Sequence, residues 1–448
     1  MRDNRPLRCI PWLLLICLAA TTAAGQDTKT SVRAFPGAEG FGAFTVGGRG
    51  GHVYIVTSLE DYDLDEEEIH GSLRQAVEAA GPRTVVFGVS GYIELKRPLE
   101  VVHPFLTIAG QPAPGDGVAL RNYGLEVGAG QVIIRYLRVR PGDVSGIEQD
   151  AINIRAPDVI VDHCSVSWGT DEVLSVIGHA TNVTVQWCLI SESLNNSVHH
   201  KGAHGYGTLL TASGNVSIHH TVYALHNSRN PRPKDLLLDF RNNLIYGFGD
   251  QAGYNYEDQT RMNYVGNVIR PLDYSKNPRC AFNLGGLNSR FFVRDNLFLA
   301  NDTISGDWEF ICTPDTIPRS AVDEKVKLAA PIDVAEVATD APLSALYRLM
   351  SESGAMLPTR DAVDRRVLDF ISTGGGRIID SQYEVGGWLP LAPGELHPDN
   401  DRDGMPDGWE SSNGLDPADG SDHALDPDRD GYTNIEEFLN GTNPQSPD

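Results

Sequence analysis

One repeated pattern constrains the fold of this 448-residue chain more than any other feature. Segments that are rich in β-branched residues, with apolar and polar positions alternating, recur six times between residues 159 and 299. They read VIVDHCSVS, VTVQWCLIS, VSIHHTVYA, LDFRNNLIY, MNYVGNVIR and FVRDNLFL. Alternation of this kind predicts half-buried β-strands.

The spacing of the segments predicts how the strands are arranged. When the segments are aligned, one column contains Cys164, Cys188, Thr221, Asn243, Asn267 and Asn296, at steps of 24, 33, 22, 24 and 29 residues. These steps are too long for hairpins and too short for separate domains, so they indicate a solenoid of parallel coils. Because parallel strands lie about 4.8 Å apart, we expect the asparagines to form a hydrogen-bonded ladder rather than three unrelated turns.

The N-terminus is typical of a secretory signal peptide. The basic stretch MRDNRPLR is followed by the apolar stretch CIPWLLLICLAATTAA, which predicts cleavage near Ala24 and a signal peptide over residues 1–25. No other apolar run approaches the ~20 residues of a membrane span. We therefore expect a secreted protein, either extracellular or in a bacterial-type periplasm.

Export permits disulfide bonds, and four cysteines remain once the signal is removed. Cys164 and Cys188 fall on adjacent rungs of the ladder, close enough for a disulfide. Small buried thiols also stack well without a bond. The pairing of Cys280 with Cys312 is likewise open from the sequence.

The formal net charge of -24 is unevenly distributed, and about half of it lies in the last 53 residues. An acidic chain lacks the basic surface that nucleic acids require, so nucleic-acid binding is excluded as a function class. If the ligand is itself anionic, a cation must bridge the two, and Ca²⁺ is the obvious candidate.

Helices are predicted before and after the repeated segments. GSLRQAVEAAG, with Ser72 as N-cap and Gly81 after its end, predicts a helix that caps the open N-terminal end. LSALYRLMSESG and RDAVDRRVLDFIST predict two helices within residues 313–395, packed on the side of the solenoid. Pro390 and Pro393 indicate a linker that follows them.

Several motifs resemble those of the secreted pectate lyases of polysaccharide lyase family 1. They are AFPGAEGFGAFTVGGRGG, GSLRQA, LTIAGQPAPGDG, IVDHCSVS and SRNPRP, and they occur in the family's order. The resemblance implies an all-β fold, a right-handed parallel β-helix over residues 33–312. It also implies cleavage of pectate, an acidic polysaccharide, by calcium-assisted β-elimination. We expect the protein to act as a monomer.

Residues beyond the ends of the strands are candidates for the chemistry. Asp171, Asn195 and Arg229 follow three successive rungs by seven or eight residues, which predicts an acid, an amide and a guanidinium on one side of the solenoid. The adjacent rungs QDAINI and DEVLSV also bring Asp150, Asp171 and Glu172 together. Their carboxylates would repel one another, and a bound Ca²⁺ would relieve the repulsion. Alternatively, these acids pair with arginines or cap turns.

The resemblance assigns further roles by motif position. SRNPRP makes Arg229 the proton-abstracting base and Arg232 the partner of a substrate carboxylate. Lys201, in VHHKGAHGYG, matches the family's substrate-binding lysine and is the next candidate base. Asp150 and Asp171 match calcium-ligand motifs. Ser175 stands where the family has a further Asp, and Glu172 is the candidate replacement.

Eight of the 13 histidines lie between His163 and His226, a density that raises the question of a zinc site. No HExxH motif or clear ligand pair is present. We interpret His163 as structural and the other histidines as sugar-facing or turn residues.

Residues 396–448 contain two twelve-residue loops with the spacing of calcium-binding loops. The first loop, DNDRDGMPDGWE, supplies Asp399, Asp401, Asp403, Asp407 and Glu410. The second loop, DPDRDGYTNIEE, supplies Asp426, Asp428, Asp430, Asn434 and Glu437. Each loop has glycine at position 6. The pair resembles dockerin and related EF-hand-like modules, which implies either a cohesin-like or cell-surface partner or a small appendage stabilised by calcium.

Two alternative functions remain open. A β-helix glycoside hydrolase of the polygalacturonase type would use paired carboxylates to direct water. A non-catalytic solenoid would bind carbohydrate only. The SRNPRP motif favours the lyase over both alternatives.

Overall fold

The computed structural model describes Met1, residues 32–299 and residues 306–447, and the chain from Val32 onward forms one compact unit. Apart from Met1, the predicted signal peptide lies outside the described residues. In the part of the chain described, no helix is long and apolar enough to cross a membrane. The predicted domain boundaries at residues 312 and 395 stay predictions.

The chain winds into a right-handed parallel β-helix, as predicted. Three parallel sheets run along the coil, and neighbouring strands of a sheet come from successive coils. Sheet one pairs β1 (His52–Val56), β2 (Arg83–Phe87), β5 (Leu106–Ala109), β8 (Val132–Arg135), β11 (Val159–Asp162), β14 (Val183–Gln186), β17 (Asn215–His219), β20 (Leu237–Arg241), β23 (Arg261–Val265) and β26 (Arg290–Arg294).

The other two sheets complete each coil. Sheet two pairs β3 (Gly91–Glu94), β6 (Val118–Arg121), β9 (Arg138–Arg140), β12 (Ser165–Ser167), β15 (Leu189–Ser191), β18 (Val222–Ala224), β21 (Leu244–Tyr246), β24 (Val268–Arg270) and β27 (Leu297–Phe298). Sheet three pairs β4 (Leu99–Val101), β7 (Leu125–Val127), β10 (Ile152–Ile154), β13 (Glu172–Gly178), β16 (Tyr206–Ala212) and β19 (Arg232–Pro233). A small sheet pairs β22 (Gly253–Tyr254), β25 (Phe282–Asn283) and β28 (Ile311–Cys312). Inward-facing aliphatic side chains of the coils form one continuous core.

The predicted asparagine ladder is confirmed. Asn243 Nδ2 donates to Asn267 Oδ1 at 3.1 Å, and Asn267 Nδ2 donates to Asn296 Oδ1 at 3.0 Å. The threonine rung continues it, because the backbone N–H of Thr221 donates to Asn243 Oδ1 at 3.0 Å. Stacked amides thus satisfy buried polar groups at the turn between sheets one and two.

The prediction of one strand per repeated segment is wrong, because each segment forms two strands. VIVDHCSVS contributes β11 to sheet one and β12 to sheet two, with His163 between them at a φ of 50°. The equivalent residues of the other coils also have positive φ, namely Trp187, His220, Asn242, Gly266 and Asp295. A residue in the left-handed region turns the chain sharply between the sheets. β11 and β12 are also buried on both faces rather than half-buried, and Ile160 on the outer face of β11 packs against Phe35. In the last segment, both ends of β26 stay exposed.

Of the four cysteines after the predicted signal peptide, two are free and two form a disulfide. Cys164 and Cys188 are buried and unbonded on adjacent rungs. Cys280 and Cys312 form a disulfide, which joins the neighbouring coils that carry β25 and β28.

The predicted N-terminal cap is confirmed as α1 (Leu73–Glu78), and the Ser72 side chain accepts a hydrogen bond from the N–H of Gln75. Leu73, Ala76 and Val77 bury their side chains in the solenoid core. The fully buried Arg74 forms an ion pair with Asp61 at 2.7 Å. The helix thus covers apolar residues at the open end of the coil.

Helices follow the last coil. They are α2 (Arg319–Lys325), α3 (Pro342–Glu352) and α4 (Ala362–Thr373). The sequence predicted α3 and α4, which pack on the outer face of sheet two through Leu349, Val367 and Ile371. The short α2 was not predicted, and its Val322 joins the main core.

The C-terminal module, residues 396–447, contains α5 (Asp407–Asn413) and α6 (Asn434–Asn440). It packs on the outer face of the first strands of sheet one, where it shares an apolar cluster with Val53, Val86 and Ala109. The solenoid and the module therefore share buried surface.

Candidate active site

The candidate site lies where four neighbouring strands of sheet three begin, β10, β13, β16 and β19. Asp150 lies just before β10, Glu172 opens β13 and Tyr206 opens β16. Glu172 pairs in parallel register with Tyr206, which in turn forms a β-bridge with Ser228 on the next coil. Stacking of the coils therefore brings side chains that are distant in the sequence to one edge.

The three acids that the sequence grouped do lie together. Carboxylate oxygens of Asp150, Asp171 and Glu172 are within 4.8 Å of one another. Asp150 is buried, and its Oδ1 accepts a hydrogen bond from the N–H of Glu172 at 2.9 Å. Burial and the nearby charge of Asp171 raise the pKa of Asp150 well above its ordinary value. A hard cation bound by oxygen atoms fits this donor set, because it would relieve the repulsion.

Arg229 lies directly beside this acid cluster. Its Nη1 donates to the carboxylate of Glu172, and its Nε donates to the hydroxyl of Tyr254 at 3.2 Å. The guanidinium carbon lies 4.2 Å from the centre of the Tyr206 ring. Glu172 thus takes the alternative role expected of such acids, pairing with an arginine, while it also borders Asp150 and Asp171.

Ser175 and Arg232 occupy one row of sheet three. The row runs through Asn153, Ser175, Leu209 and Arg232, residues that are paired from strand to strand. Ser175 is buried and has no charge, so it adds no carboxylate where the family resemblance leads us to expect one. The guanidinium carbon of Arg232 lies 5.0 Å from the centre of the Tyr256 ring.

Two histidines hold Asp171, a feature that the sequence analysis missed. Nε2 of His204 lies 2.8 Å from Asp171 Oδ1, and Nε2 of His199 lies 3.5 Å from the same atom. The two imidazoles stack with their centres 3.7 Å apart, and both are buried. Although burial raises the pKa of Asp171, the hydrogen bond and charge of His204 lower it below its ordinary value. The only available signal was the histidine density of this loop.

The same loop explains Asn195 and Lys201. The backbone carbonyl of Asn195 accepts a hydrogen bond from the N–H of His204 at 2.6 Å, and its Oδ1 accepts one from the N–H of Gly205 at 3.3 Å. Asn195 therefore closes the base of the loop rather than facing the acids. Lys201 is exposed at the loop tip, where its backbone N–H donates to His199 Nδ1 at 3.1 Å. Within the described ranges, no ion pair or hydrogen bond of the Lys201 ammonium is found. The structure thus places Arg229, and not Lys201, against the acid cluster.

A groove of about 440 Å³ lies beside this site and along the small sheet, and it includes Tyr206 and Tyr254, the two residues that contact Arg229. Tyr206, Tyr254 and Tyr256 contribute three aromatic rings to it, and Asp250 and Thr313 are among its other lining residues. Aromatic rings provide flat apolar surface with a polar edge, which suits an elongated ligand bearing hydroxyl groups.

No family model matches the chain. A probable pectate lyase C of Aspergillus oryzae is 36% identical over 423 residues, which cover 92% of this chain and 94% of the relative. The chain belongs to the pectate lyase family. A probable pectate lyase C of Emericella nidulans is 34% identical to the chain over 447 residues, which cover 98% of each protein. That alignment is long enough to reach into the C-terminal module.

A solved structure supports the fold. The cedar pollen allergen jun a 1 matches with a TM-score of 0.51 at 18% identity, covering 71% of this chain and 92% of the allergen. At this identity the likeness concerns the fold alone.

The two loops of the C-terminal module of this pectate lyase family member have the same local geometry. In the first loop, Asp399 accepts hydrogen bonds from backbone N–H groups three and five positions later, at 2.8 and 3.2 Å. In the second loop, Asp426 does the same at 2.7 and 3.0 Å. Asp403 and Asp430 each accept from the N–H two positions later, at 2.9 Å. The remaining candidate ligands of the second loop are Asp428, Asn434 and Glu437, of which Asn434 and Glu437 are buried.

In the first loop, one candidate ligand, Asp407, has hydrogen-bond partners within the loop itself. Asp407 accepts hydrogen bonds from the backbone and side chain of Asn400, at 2.8 and 2.6 Å. Asp422, which the spacing template did not include, lies instead within 4.8 Å of Asp403 and Glu410. Burial, followed by repulsion from neighbouring carboxylates, raises the pKa of Asp403 to about 7 and that of Glu410 to about 8.

Proposed function

We propose that the protein cleaves pectate by β-elimination, with Arg229 as the base and with Ca²⁺ held by the adjacent acids. The observation that carries this proposal is the placement of Arg229 beside Asp150, Asp171 and Glu172, at the head of an aromatic groove, in a member of the pectate lyase family. The relatives' names supply the substrate class.

In this reaction a base removes the proton at C5 of a uronate, the electron pair of that bond forms a double bond between C4 and C5, and the glycosidic oxygen leaves C4 and takes up a proton from water. The side chain of Arg229 is only 18% exposed, and contacts to Glu172, Tyr254 and Tyr206 fix its direction. A base must present a lone pair, so the proposal requires Arg229 to react as a neutral guanidine, through a nitrogen that faces C5 rather than Glu172 or Tyr254.

The acids are the candidates for holding the cation. Asp150 and Asp171 would bind it, with Glu172 as a third ligand, and these oxygen donors suit a hard ion. A bound Ca²⁺ would neutralise the uronate carboxylate and so acidify the C5 proton. Arg232 would bind a substrate carboxylate through its planar fork, with the Tyr256 ring supporting the guanidinium.

His199 and His204 would orient the carboxylate of Asp171. The hydrogen bond from His204 fixes one oxygen of Asp171, and second partners of this kind orient a ligand carboxylate. The proposed role of Lys201 changes accordingly, because its exposed position suits a contact with substrate at the cleft edge better than a role as base.

The alternative functions receive less support. In an inverting glycoside hydrolase, the two carboxyl groups stand roughly 6.5–9.5 Å apart to admit water. Here one carboxylate oxygen of Asp150 lies within 4.8 Å of one of Asp171, an arrangement that suits a shared cation better than two carboxyl groups held apart by a water. A non-catalytic solenoid would not explain a guanidine held beside an acid cluster in a chain so similar to pectate lyases.

The deciding experiment compares two readouts on polygalacturonate. Elimination creates an unsaturated uronate with its own ultraviolet absorbance, whereas hydrolysis releases reducing ends without it. We expect calcium-dependent absorbance that rises in step with the reducing ends. Reducing ends without absorbance would indicate a hydrolase, and neither signal, despite binding of the polymer, would indicate a binding protein.

The remaining functional expectations stay predictions. They are secretion through the N-terminal signal, action as a monomer, and a cohesin-like or cell-surface partner for the C-terminal module. The fungal sources of the relatives favour an extracellular location over a periplasmic one.

A further inference from the structure

The C-terminal module rests on one defined part of the solenoid. We call this part the docking face: the outward side chains of Val53 on β1, Val86 on β2 and Ala109 on β5. Met405 and Ile435 of the module are buried against it, and further apolar side chains of the module extend the cluster. The first strands of sheet one would otherwise expose this apolar surface to water.

Polar contacts surround the apolar cluster. Arg49 forms an ion pair with Glu436 of α6 at 2.8 Å, and the two side chains are 17% and 12% exposed. Gln111 Nε2 donates to the carbonyl of Leu439 at 3.2 Å. These contacts tie α6 to the solenoid, so the module is fastened at its rim as well as at its centre.

The calcium-type loops themselves touch the solenoid. Gly404, at position 6 of the first loop, has a φ of 93°, and a Cβ added there would lie 2.8 Å from Val53 Cγ1. Gly431, at position 6 of the second loop, has a φ of 105°, and a Cβ there would lie 2.4 Å from Val32 Cγ2. Glycine is required at each turn for its backbone conformation and also for close contact with the solenoid. The shape of the loops and the fit of the module are thus set by the same residues.

Buried carboxylates in the first loop lack partners. Asp403, Glu410 and Asp422 are 3%, 0% and 6% exposed. Among the described residues, Oδ2 of Asp403, both carboxylate oxygens of Glu410 and Oδ1 of Asp422 are buried without a hydrogen-bond partner. Both carboxylate oxygens of Asp401 are likewise buried without a hydrogen-bond partner among the described residues. Buried carboxylates of one sign must either take up protons or bind a counter-charge, and a set of carboxylate oxygens suits Ca²⁺.

We propose that the Ca²⁺ expected in the first loop, at Asp399, Asp401, Asp403 and Glu410, takes Asp422 as a further ligand, and that this ion holds the module on the docking face. Asp422 comes from the turn between the two loops, so the ion would join segments that the spacing of a single loop does not connect.

The ligands and the docking contacts are adjacent in the chain. Asp403 is a ligand, the next residue lies on Val53, and Met405 enters the apolar cluster. Loss of the ion leaves the carboxylates repelling one another, which opens this segment and uncovers the docking face. Calcium binding is therefore linked to the stability of the first coils, independently of the catalytic site.

The test is amide hydrogen exchange on the full-length protein, with Ca²⁺ and after chelation. We expect chelation to speed exchange in residues 399–410, and also in β1 and β2, by about tenfold or more, since local opening exposes their amides. Strands far from the module, such as β20 and β23, serve as the internal reference and should change less. Unchanged exchange in β1 and β2, while the module loosens, would refute the role of the ion in docking. Unchanged exchange in the module would refute the site.

Variants separate the ligands from their neighbours. In the presence of Ca²⁺, Asp422→Asn should reproduce the exchange of the chelated wild-type protein in residues 399–410, β1 and β2. Asp419→Asn is the matched control, because it removes one exposed carboxylate from the same module and keeps the oxygen that accepts from Ser421, and it should behave like the wild type. Arg49→Gln should speed exchange in β1 and β2 while the module still responds to Ca²⁺. If Asp419→Asn loses the calcium response and Asp422→Asn keeps it, the ligand assignment is wrong.

Discussion

Replacement of Arg229 by lysine tests the proposed base directly. The guanidinium contacts Glu172 through Nη1 and the hydroxyl of Tyr254 through Nε, two directions that a single ammonium cannot reproduce. A positioned general base contributes about 10²- to 10⁴-fold to the rate. We therefore expect Arg229→Lys to lower kcat by about that factor, with a smaller change in KM.

Arg232→Lys is the matched control, because it makes the same chemical change three residues further along the chain. Arg232 rests over the Tyr256 ring and has no contact with the acid cluster among the hydrogen bonds and ion pairs of the described residues. We expect its replacement to raise KM, since lysine keeps the charge but loses the planar fork. Initial rates of unsaturated uronate formation at saturating calcium, with circular dichroism to verify folding, measure both effects.

One result would refute the assignment. If Arg229→Lys keeps a near-native kcat while Lys201→Ala abolishes it, the base is Lys201, and the loop that carries it must close over the substrate. A loss of kcat in Arg232→Lys as large as that in Arg229→Lys would remove the proposed division of roles.

Three further predictions concern the ladder, the ligand carboxylate and the buried histidines. Asn267→Ala should destabilise the protein by about 2–4 kcal/mol in denaturant unfolding, because it strands buried N–H and amide groups of the neighbouring rungs. Asn267→Thr keeps a hydrogen-bond acceptor, as Thr221 does in its own rung. Its free energy of unfolding should therefore fall by less than that of Asn267→Ala. His204→Ala should raise the calcium concentration for half-maximal activity about 10- to 100-fold, because it frees Asp171. The exposed His200→Ala serves as its control, and an equal shift there would refute a specific role for His204. Burial lowers the pKa of His226 to about 4 in the folded protein. An unfolded histidine, with a pKa of about 6.5, takes up its proton first, so stability should fall by up to about 3 kcal/mol as the pH drops from about 6.5 to 4. Urea midpoints should show a shallower pH dependence in His226→Gln, and an unchanged slope would contradict this account.

Some features of the fold follow from local patterns and could be predicted. The asparagine ladder could be predicted, because each amide in the column can bond its equivalent in the next coil. The bend at His163 was missed although the core residues shift there by three positions rather than two, from Val161 to Cys164. Because residues on both faces of these strands are buried, the shift does not stand out as a break in the pattern.

The candidate site was predicted only in part. Asp150, Asp171 and Glu172 were grouped correctly because they follow fixed offsets from stacked strands. The ion pair between Glu172 and Arg229 depends on how two loops approach each other, and the offsets do not contain that information.

The sequence by itself determined the repeating architecture, the acid cluster and the two loop spacings, because each depends on residues at fixed distances along the chain. Only the tertiary structure decided which partners those residues meet. His199 and His204 reach Asp171 through a loop of no regular period. Asp422 lies beside Glu410 because the module folds back on itself, and Gly404 lies on Val53 because the module packs on the solenoid. Contacts of this kind join segments that are distant in the sequence. They depend on how surfaces fit and become buried together, and no regular spacing in the sequence encodes them.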